Sequence, residues 1–239
     1  MVGRADGWVE LSAISCDGAR AMLEIGESML PEHGEQIATA YDDCFNQTPA
    51  RLIRQIRHLG YRGRVVHYVG MSHYFRLEPL GGGHYVSLAG GVLNDACAAW
   101  HRAFAEEAQA AGFEIIWSLS YELFDAYCRG DWKQRASDGA PALTGWEPPS
   151  TLLSPASAAA MGYLQLVARA FVAIGAAAGL PLNFQVGEPW WWIASGGRIC
   201  GYDAATTATL GAASVPIADV RAPLGAAQLA MLDALGALL

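Results

Sequence analysis

Three segments of the chain place polar and aromatic residues directly after apolar stretches. They are Met71–Phe75, Ser120–Asp125 and Gly187–Trp192. In parallel α/β proteins, the side chains at the carboxyl ends of the strands form the functional sites. These three segments are therefore where we expect chemistry.

The third segment is the most informative, because Glu188 precedes Pro189 and three consecutive tryptophans, Trp190, Trp191 and Trp192. A carboxylic acid can protonate the leaving oxygen of a glycosidic bond, and indole faces stack on sugar rings. Apolar surroundings also raise the pKa of a carboxyl group. The pattern favours sugar chemistry, with Glu188 as the acid and the indoles as a stacking wall. The alternative is that Glu188 caps a helix while the tryptophans fill the core.

Glu122, in the second segment, is a second candidate catalytic carboxylate. If its strand neighbours the strand before Glu188, both side chains project over the same end of the sheet, within the ~5–9 Å range of glycosidase carboxyl pairs. The alternative is a charge in the first turn of a helix, stabilised by the helix dipole. Tyr121 and Asp125 flank Glu122 and are candidate substrate-binding residues, although each has an ordinary surface explanation.

The first segment contributes His73 and Tyr74 as candidate substrate contacts. His67 and His73 are six residues apart and would share one face of a strand, with His73 at its edge. There His73 could bind substrate or orient a carboxylate, and a structural role is an equally good interpretation. A metal-dependent hydrolase using His73, His84 and Glu122 is a weaker hypothesis, because the chain has no H-x-H or H-E-x-x-H motif. We therefore expect no metal and no cofactor.

The elements that position these residues alternate between strand-like and helix-like patterns. Runs of β-branched and aromatic residues predict strands at residues 8–15, 65–71, 113–119 and 182–187. Capping residues, apolar spacing and terminal glycines predict helices that begin near Pro49, Asn94, Ser154 and Leu224. A polar stretch over residues 129–153 is too long for an ordinary connection and is a candidate functional loop.

This alternation is typical of a parallel sheet. About four β/α units fit before Glu188, whereas a closed barrel takes about 250 residues. We predict the first half of a (β/α) barrel of the TIM type, or an open sheet of the same kind, as a single α/β domain over residues 1–239. The last helix runs apolar to Leu239 without a cap, so we expect this domain to be incomplete at its carboxyl end.

The composition argues against several classes of protein. The 239 residues carry a net charge of −8, and 53% are hydrophobic while only 16% are charged. These values argue against disorder and against nucleic-acid binding as the main function. Arg51, Arg54 and Arg57 form a local basic strip, which we interpret as a solvated helix face. Five single cysteines indicate reduced thiols rather than a disulfide framework.

The sequence also bears on localisation. The amino-terminal segment lacks the unbroken apolar core of a signal peptide. The most apolar stretch, Ala170–Leu182, is shorter than the roughly 20 residues that span a bilayer. We expect a soluble protein that is made in the cytoplasm and does not insert into a membrane.

Four segments together resemble tail proteins of phages and gene transfer agents, which are similar to the TIM-barrel glycoside hydrolases of clan A. The segments are Val69–Phe75, Ile116–Asp125, Leu143–Thr151 and Phe184–Trp192. The resemblance covers most of residues 50–239, and its last segment is the most specific. It implies a tail-tip or baseplate module that joins the virion, contacts other tail proteins and meets the glycan of the cell envelope.

The resemblance also implies roles for single residues. In clan A the acid/base glutamate ends the fourth strand, within Asn-Glu-Pro, and the nucleophile ends the seventh. Glu188 falls at the fourth predicted strand end, which makes it the acid/base of a retaining hydrolase, with Glu122 and His73 binding or orienting substrate. Gly187 stands where asparagine is usual, and no seventh strand is present to supply a nucleophile. The alternative is a structural tail component that binds glycan, or only neighbouring subunits, without cleaving it.

Overall fold

The computed structural model describes Glu10, Ser12, residues 30–69 and residues 73–239. The strand predicted at residues 8–15 lies outside this range except for those two single residues. The described strands are β1 (Ile37–Ala40), β2 (Arg64–Val69), β3 (Leu77–Leu80), β4 (Gly83–Val86), β5 (Glu114–Leu119), β6 (Glu122–Phe124), β7 (Ser150–Leu152), β8 (Phe184–Val186), β9 (Ile193–Ala194) and β10 (Arg198–Ile199). The α-helices are α1 (Tyr41–Cys44), α2 (Pro49–His58), α3 (Asp95–Ala110), α4 (Ala158–Ala177), α5 (Ala204–Leu210) and α6 (Ala226–Gly236).

Four of these strands form one parallel sheet in the order β1-β2-β5-β8. Val66 pairs with Ile116 and Ser118 pairs with Gln185, which fixes the register of β2 with β5 and of β5 with β8. The strand β1 is not predicted by the sequence analysis. Counted from β1, β8 is the fourth parallel strand of the described sheet, but the strand from which the prediction counted, at residues 8–15, lies outside the described residues.

Side-chain caps define where the long helices begin. The Thr48 side chain accepts a hydrogen bond from the third residue of α2, and Pro49 occupies the first turn. Asn94 caps α3 in the same way, as predicted. The start of α4 is shifted from the prediction, because Ser157 rather than Ser154 is its cap.

The main core lies between the sheet and the helices α2, α3 and α4, which pack on one of its faces. Its largest buried side chains include Trp117 on β5, Phe104 on α3 and Phe171 on α4. Gly175 lets α4 approach the sheet, because a Cβ atom there would lie 2.8 Å from the Trp117 ring nitrogen. The core is thus closed on the helix side of the sheet.

By length and composition α4 could cross a membrane, with 20 residues and a mean hydropathy of 1.4 over its most apolar window. The sequence analysis considered only a shorter stretch. In the fold, Tyr163, Val167 and Phe171 of this helix are buried in the core. The core helix of a soluble protein has the same length and composition, so α4 by itself carries little weight as a membrane span.

Residues 120–153 and 190–239 build a smaller layer beside the carboxyl end of the sheet. The strands β6 and β7 pair in antiparallel fashion. The strand β7 belongs to the polar stretch predicted as a loop, and this stretch also forms the bridges Lys133–Leu153 and Leu143–Thr151. Ala142 N donates to Gln134 O at 3.0 Å, and Leu152 N donates to Ala142 O at 3.0 Å. Two small apolar clusters fill this layer, one around Ala142 and Cys200 and one around Met231 and α6.

Candidate functional site

The candidate site lies where β5 and β8 end. Glu122 opens β6 three residues after β5, and Glu188 comes two residues after β8. Gly187 N donates to Leu119 O at 2.8 Å, so the pairing of the two parallel strands continues to the residue before Glu188. The backbone therefore carries both glutamates to the same edge of the sheet.

Glu122 is buried, with 7% of its surface exposed. The Ser150 hydroxyl, from the paired strand β7, donates to Glu122 Oε1 at 2.8 Å. A second hydroxyl, that of Thr144, lies 2.9 Å from the Ser150 hydroxyl and extends this network. Glu122 is thus held by the hairpin in an enclosed setting with little access to water.

The pKa of Glu122 is raised above its ordinary value, chiefly because burial penalises the charged form. The hydrogen bond from Ser150 opposes the rise, and the nearby charge of Glu188 adds to it. The two carboxyl groups therefore lie within electrostatic reach of each other, as expected if both project over one end of the sheet. Glu188 itself is half-buried. Its partly exposed carboxyl group is the member of the pair that a ligand can reach.

The three tryptophan side chains have different surroundings in the structure. The Trp190 side chain is 43% exposed. The Trp191 indole nitrogen donates to Leu235 O of α6 at 2.7 Å, and Trp192 packs on the small cluster that contains Cys200. The predicted wall of three stacking indoles is therefore reduced to Trp190, while Trp191 and Trp192 anchor the segment to the smaller layer.

Gln134 holds this segment in place, and the sequence analysis does not single it out. Its side chain is fully buried. Its amide nitrogen donates to Trp190 O at 3.0 Å and to Leu153 O at 3.1 Å, and its amide oxygen accepts from Trp192 N at 2.8 Å. One glutamine thus ties the chain after Glu188 to the strand β7 region. Nothing in the local sequence pattern marks it.

Gly187 has a neighbour that explains why a larger residue does not fit. A Cβ atom on Gly187 would lie 2.8 Å from the Ser118 hydroxyl oxygen on β5. Ser118 is buried, and its hydroxyl finds no hydrogen-bond partner among the described residues. An asparagine at position 187 would therefore require Ser118 to move. Glycine in place of the asparagine of Asn-Glu-Pro therefore agrees with the close contact between these neighbouring strands.

His73 lies away from this pair, beyond the end of β2. The prediction that His67 and His73 share one strand is wrong, because His67 lies on β2 whereas His73 lies in a bend. His73 Nδ1 is 2.7 Å from Asp42 Oδ1, and its ring stacks on Phe45 with centroids 4.2 Å apart. Its described contacts are thus with the segment around α1, although its half-exposed ring remains accessible.

The remaining predicted binding residues, Tyr74, Tyr121 and Asp125, also lie in different environments. Tyr74 is fully buried in the core against Phe171, so the prediction that it contacts substrate is wrong for this structure. Asp125 accepts a 2.7 Å hydrogen bond from Lys133 Nζ. Tyr121 is half-buried and lines an apolar groove of about 240 Å³ beside α4 and β8.

The metal hypothesis gains no support from the described part of the chain. No group of three or more histidine, cysteine, aspartate or glutamate side chains lies close enough together there to hold a metal ion. His84 is exposed on the β3–β4 hairpin, whereas Glu122 is buried on β6. The three residues proposed as ligands thus differ in both place and exposure.

A family model described as the non-contractile tail sheath protein TIM barrel matches residues 31–239. The match covers all of the parallel sheet and the smaller layer. It confirms the predicted (β/α) barrel class and the predicted resemblance to phage tail proteins. No curated protein matches the chain in sequence.

Solved structures with a similar fold include two glycosidases. A GH31 family sulfoquinovosidase from E. rectale, in complex with an aza-sugar inhibitor, has 11% sequence identity and a TM-score of 0.40 over 73% of this chain and 26% of its own. The α-N-acetylgalactosaminidase NagBb from Bifidobacterium bifidum has 16% identity and a TM-score of 0.37 over 62% of this chain and 27% of its own. The chain thus spans about a quarter of the length of these proteins.

Proposed function

Because the chain belongs to the family of non-contractile tail sheath protein TIM barrels, we propose that it is the carbohydrate-directed module of a phage or gene-transfer-agent tail, with Glu188 as general acid/base on a glycan of the cell envelope. Membership of this family makes the chain a component of a virion or tail particle, where it meets other tail proteins. The sugar-directed part is our proposal and rests on the site.

The observation that carries the proposal is the pair formed by Glu122 and Glu188 at one sheet edge. Burial and the neighbouring charge of Glu188 raise the pKa of Glu122. Two carboxyl groups with unequal environments are what acid/base chemistry on a glycosidic bond requires. Like charges held together in this way cost stability and are typical of functional sites.

The roles follow from accessibility. Glu188 is half-buried and adjoins the exposed Trp190 ring, which offers an apolar face for a sugar. Glu122 lies behind it, held by Ser150, and keeps a proton to higher pH than an exposed glutamate does. In this proposal Glu188 exchanges a proton with the glycosidic oxygen. The protonation state of Glu122 determines the charge beside Glu188. His73 follows β2, so it would contact the glycan from the far side of β5.

The test compares single glutamate-to-glutamine variants on purified cell-wall glycans. We expect Glu188→Gln to reduce product release by about 100-fold or more while glycan binding persists, since general acid/base catalysis contributes about 10²–10⁴ in rate. Glu106→Gln is the matched control, because Glu106 is exposed on α3. Equal turnover by Glu188→Gln and the unaltered protein would remove Glu188 from catalysis.

A second candidate function is a non-catalytic structural tail module, which the family description itself favours. This function predicts that no glycan fragment is released by any form of the protein. Binding that depends on Trp190 without product release would support a glycan-binding sheath component. No binding to cell-wall glycans at all would leave contacts with other tail proteins as the role of the domain.

A further inference from the structure

One face of the parallel sheet carries no helices in the described part of the chain. Side chains along β2 and β5 alternate between the two faces, so Val65 and Ile115 are buried against the helices. On the opposite face Val66 and Ile116 are only half-buried and Tyr68 is 37% exposed, whereas Ser118 near the carboxyl end of β5 is buried. Parallel sheets are normally covered on both faces. This second face, formed by Val66, Tyr68 and Ile116 with Ala38 of β1, is termed the open face below.

The strand β8 is an edge of the sheet among the described residues. Trp117 N donates to Asn183 O, and Gly187 N donates to Leu119 O. The odd-numbered residues of this segment therefore turn their backbone groups towards β5. Phe184 and Val186 must then turn theirs outward, where a further strand would pair. Their side chains are 41% and 45% exposed. An edge with free backbone groups and apolar side chains favours the addition of a strand.

The charges on the open face are already satisfied. Arg64 and Glu114, at the starts of β2 and β5, lie on the same face of the sheet as Val66 and Ile116. Arg64 Nε donates to Glu114 Oε2 at 2.7 Å. Covering the face would therefore bury apolar side chains and leave neither charge without a partner, which removes the main cost of burying a charged surface.

The two edges of the sheet are compatible with each other. All four strands run in one direction, with β1 at one edge and β8 at the other. A two-fold axis parallel to the strands preserves this direction, so that β8 of one copy meets β1 of the other in parallel pairing. Four strands from each copy give the eight that close a barrel around an apolar interior.

We propose that the open face is a self-association surface and that a second copy of this chain covers it, closing an eight-stranded barrel from two four-stranded halves. The carboxyl ends of all eight strands then lie at one end, where each copy presents Glu122 and Glu188. This inference rests on the sheet and is independent of whether the site cleaves a glycan.

The first test is the molar mass of the purified chain by light scattering over a wide range of concentration. We expect the mass of two chains, falling towards one chain on dilution. Tyr68→Glu places a charge on the open face and should shift the equilibrium to single chains. Leu59→Glu is the matched control, because Leu59 is 47% exposed at the end of α2, on the helix side of the sheet. It should leave the mass unchanged.

The second test is hydrogen exchange at the backbone amides of Phe184 and Val186. We expect both to exchange more slowly in the dimer and to exchange fast in Tyr68→Glu, with circular dichroism showing that the variant is folded. A single-chain mass at every concentration would overturn the proposal. So would a dimer that persists in Tyr68→Glu, or a single chain in which both amides are already protected, since the edge would then be covered from within one chain.

Discussion

Two pairs of titratable side chains in the described part of the protein are built on opposite principles. His67 on β2 faces His101 on α3 inside the core, with their Nε2 atoms 3.2 Å apart. Glu122 and Glu188 meet at the edge of the same sheet. The histidine pair is completely hydrogen-bonded when uncharged, whereas the glutamate pair brings two like charges together.

The hydrogen bonds of the histidine pair fit one set of proton positions. His101 Nδ1 donates to Cys97 O at 2.8 Å, which leaves His101 Nε2 to accept from His67 Nε2. His67 Nδ1 then accepts from the Thr39 hydroxyl at 2.8 Å. Every polar atom of both rings has a partner while both remain neutral. Such a pair needs no function beyond holding β1, β2 and α3 together.

The glutamate pair cannot be satisfied in this way, because the charge of Glu188 increases the cost of ionising Glu122. Protein cores rarely keep such an arrangement unless the charge is used. The comparison therefore separates a pair whose hydrogen bonds are satisfied from a pair that we propose is functional. The dependence of stability on pH, and the effects of substitutions, should distinguish the histidine pair from the glutamate pair.

The largest effect should come from acidification acting on the histidines. Burial lowers the pKa of His67, and it lowers the pKa of His101 to about 4. Below pH ~6.5 the unfolded chain binds protons at these rings that the folded chain does not, so the free energy of unfolding falls as the pH falls. His101 alone should account for about 3 kcal/mol between pH ~6.5 and ~4.

Urea denaturation at a series of pH values measures this slope. The Cys97 thiol beside His101 stays protonated throughout, because burial raises its pKa to about 12. His101→Gln should flatten the slope, and His84→Gln, at an exposed histidine, should leave it unchanged. Identical slopes for the unaltered protein and His101→Gln would mean that the buried pair does not control acid stability.

The next effect separates two neighbouring tryptophans. Trp191→Ala removes a half-buried ring and its hydrogen bond to Leu235 O, and should lower the free energy of unfolding by about 2 kcal/mol. Trp190→Ala should change stability by less than ~1 kcal/mol and weaken glycan binding about tenfold. Denaturation and glycan-binding titrations on both variants check this. A loss of binding confined to Trp191→Ala would reverse the assignment.

Much of the fold could be predicted from the sequence, because local signals and tertiary structure agree. Thr48 before Pro49 and Asn94 before an apolar stripe mark helix starts that the structure keeps. The strands β2, β5 and β8 coincide with apolar runs bounded by glycine or proline. The strand β1 was not predictable in the same way, since Ile37–Ala40 has only four residues and two of them are alanines, which are depleted in strands.

The candidate site was predictable only as a position along the chain. Placing Glu122 and Glu188 after strands leads to one sheet edge, and the structure puts them there. Which aromatic rings face solvent depends on tertiary contacts, so Tyr74 and Trp191 could not be told from Trp190 by type or spacing. Gln134 contacts Trp190, 56 residues further along the chain, and such a contact leaves no local pattern.

The smallest effect has the opposite sign to that of the histidines. The pKa of Glu122 is raised in the folded state, so the folded chain binds a proton there at a higher pH than the unfolded chain does. Charged Glu122 therefore costs stability near neutral pH, and this cost disappears as the pH falls through its folded pKa. Glu122→Gln keeps the oxygen that accepts from Ser150 and removes the charge.

We expect Glu122→Gln to raise the free energy of unfolding at pH ~7 by roughly 0.5–2 kcal/mol, a typical gain when a functional site is relaxed. The gain should shrink on acidification, and turnover of glycan should fall. Glu106→Gln, on the exposed side of α3, should do neither. If Glu122→Gln were instead destabilising at neutral pH, the buried carboxylate would be a structural group like the histidines, and the distinction between the two pairs would fail.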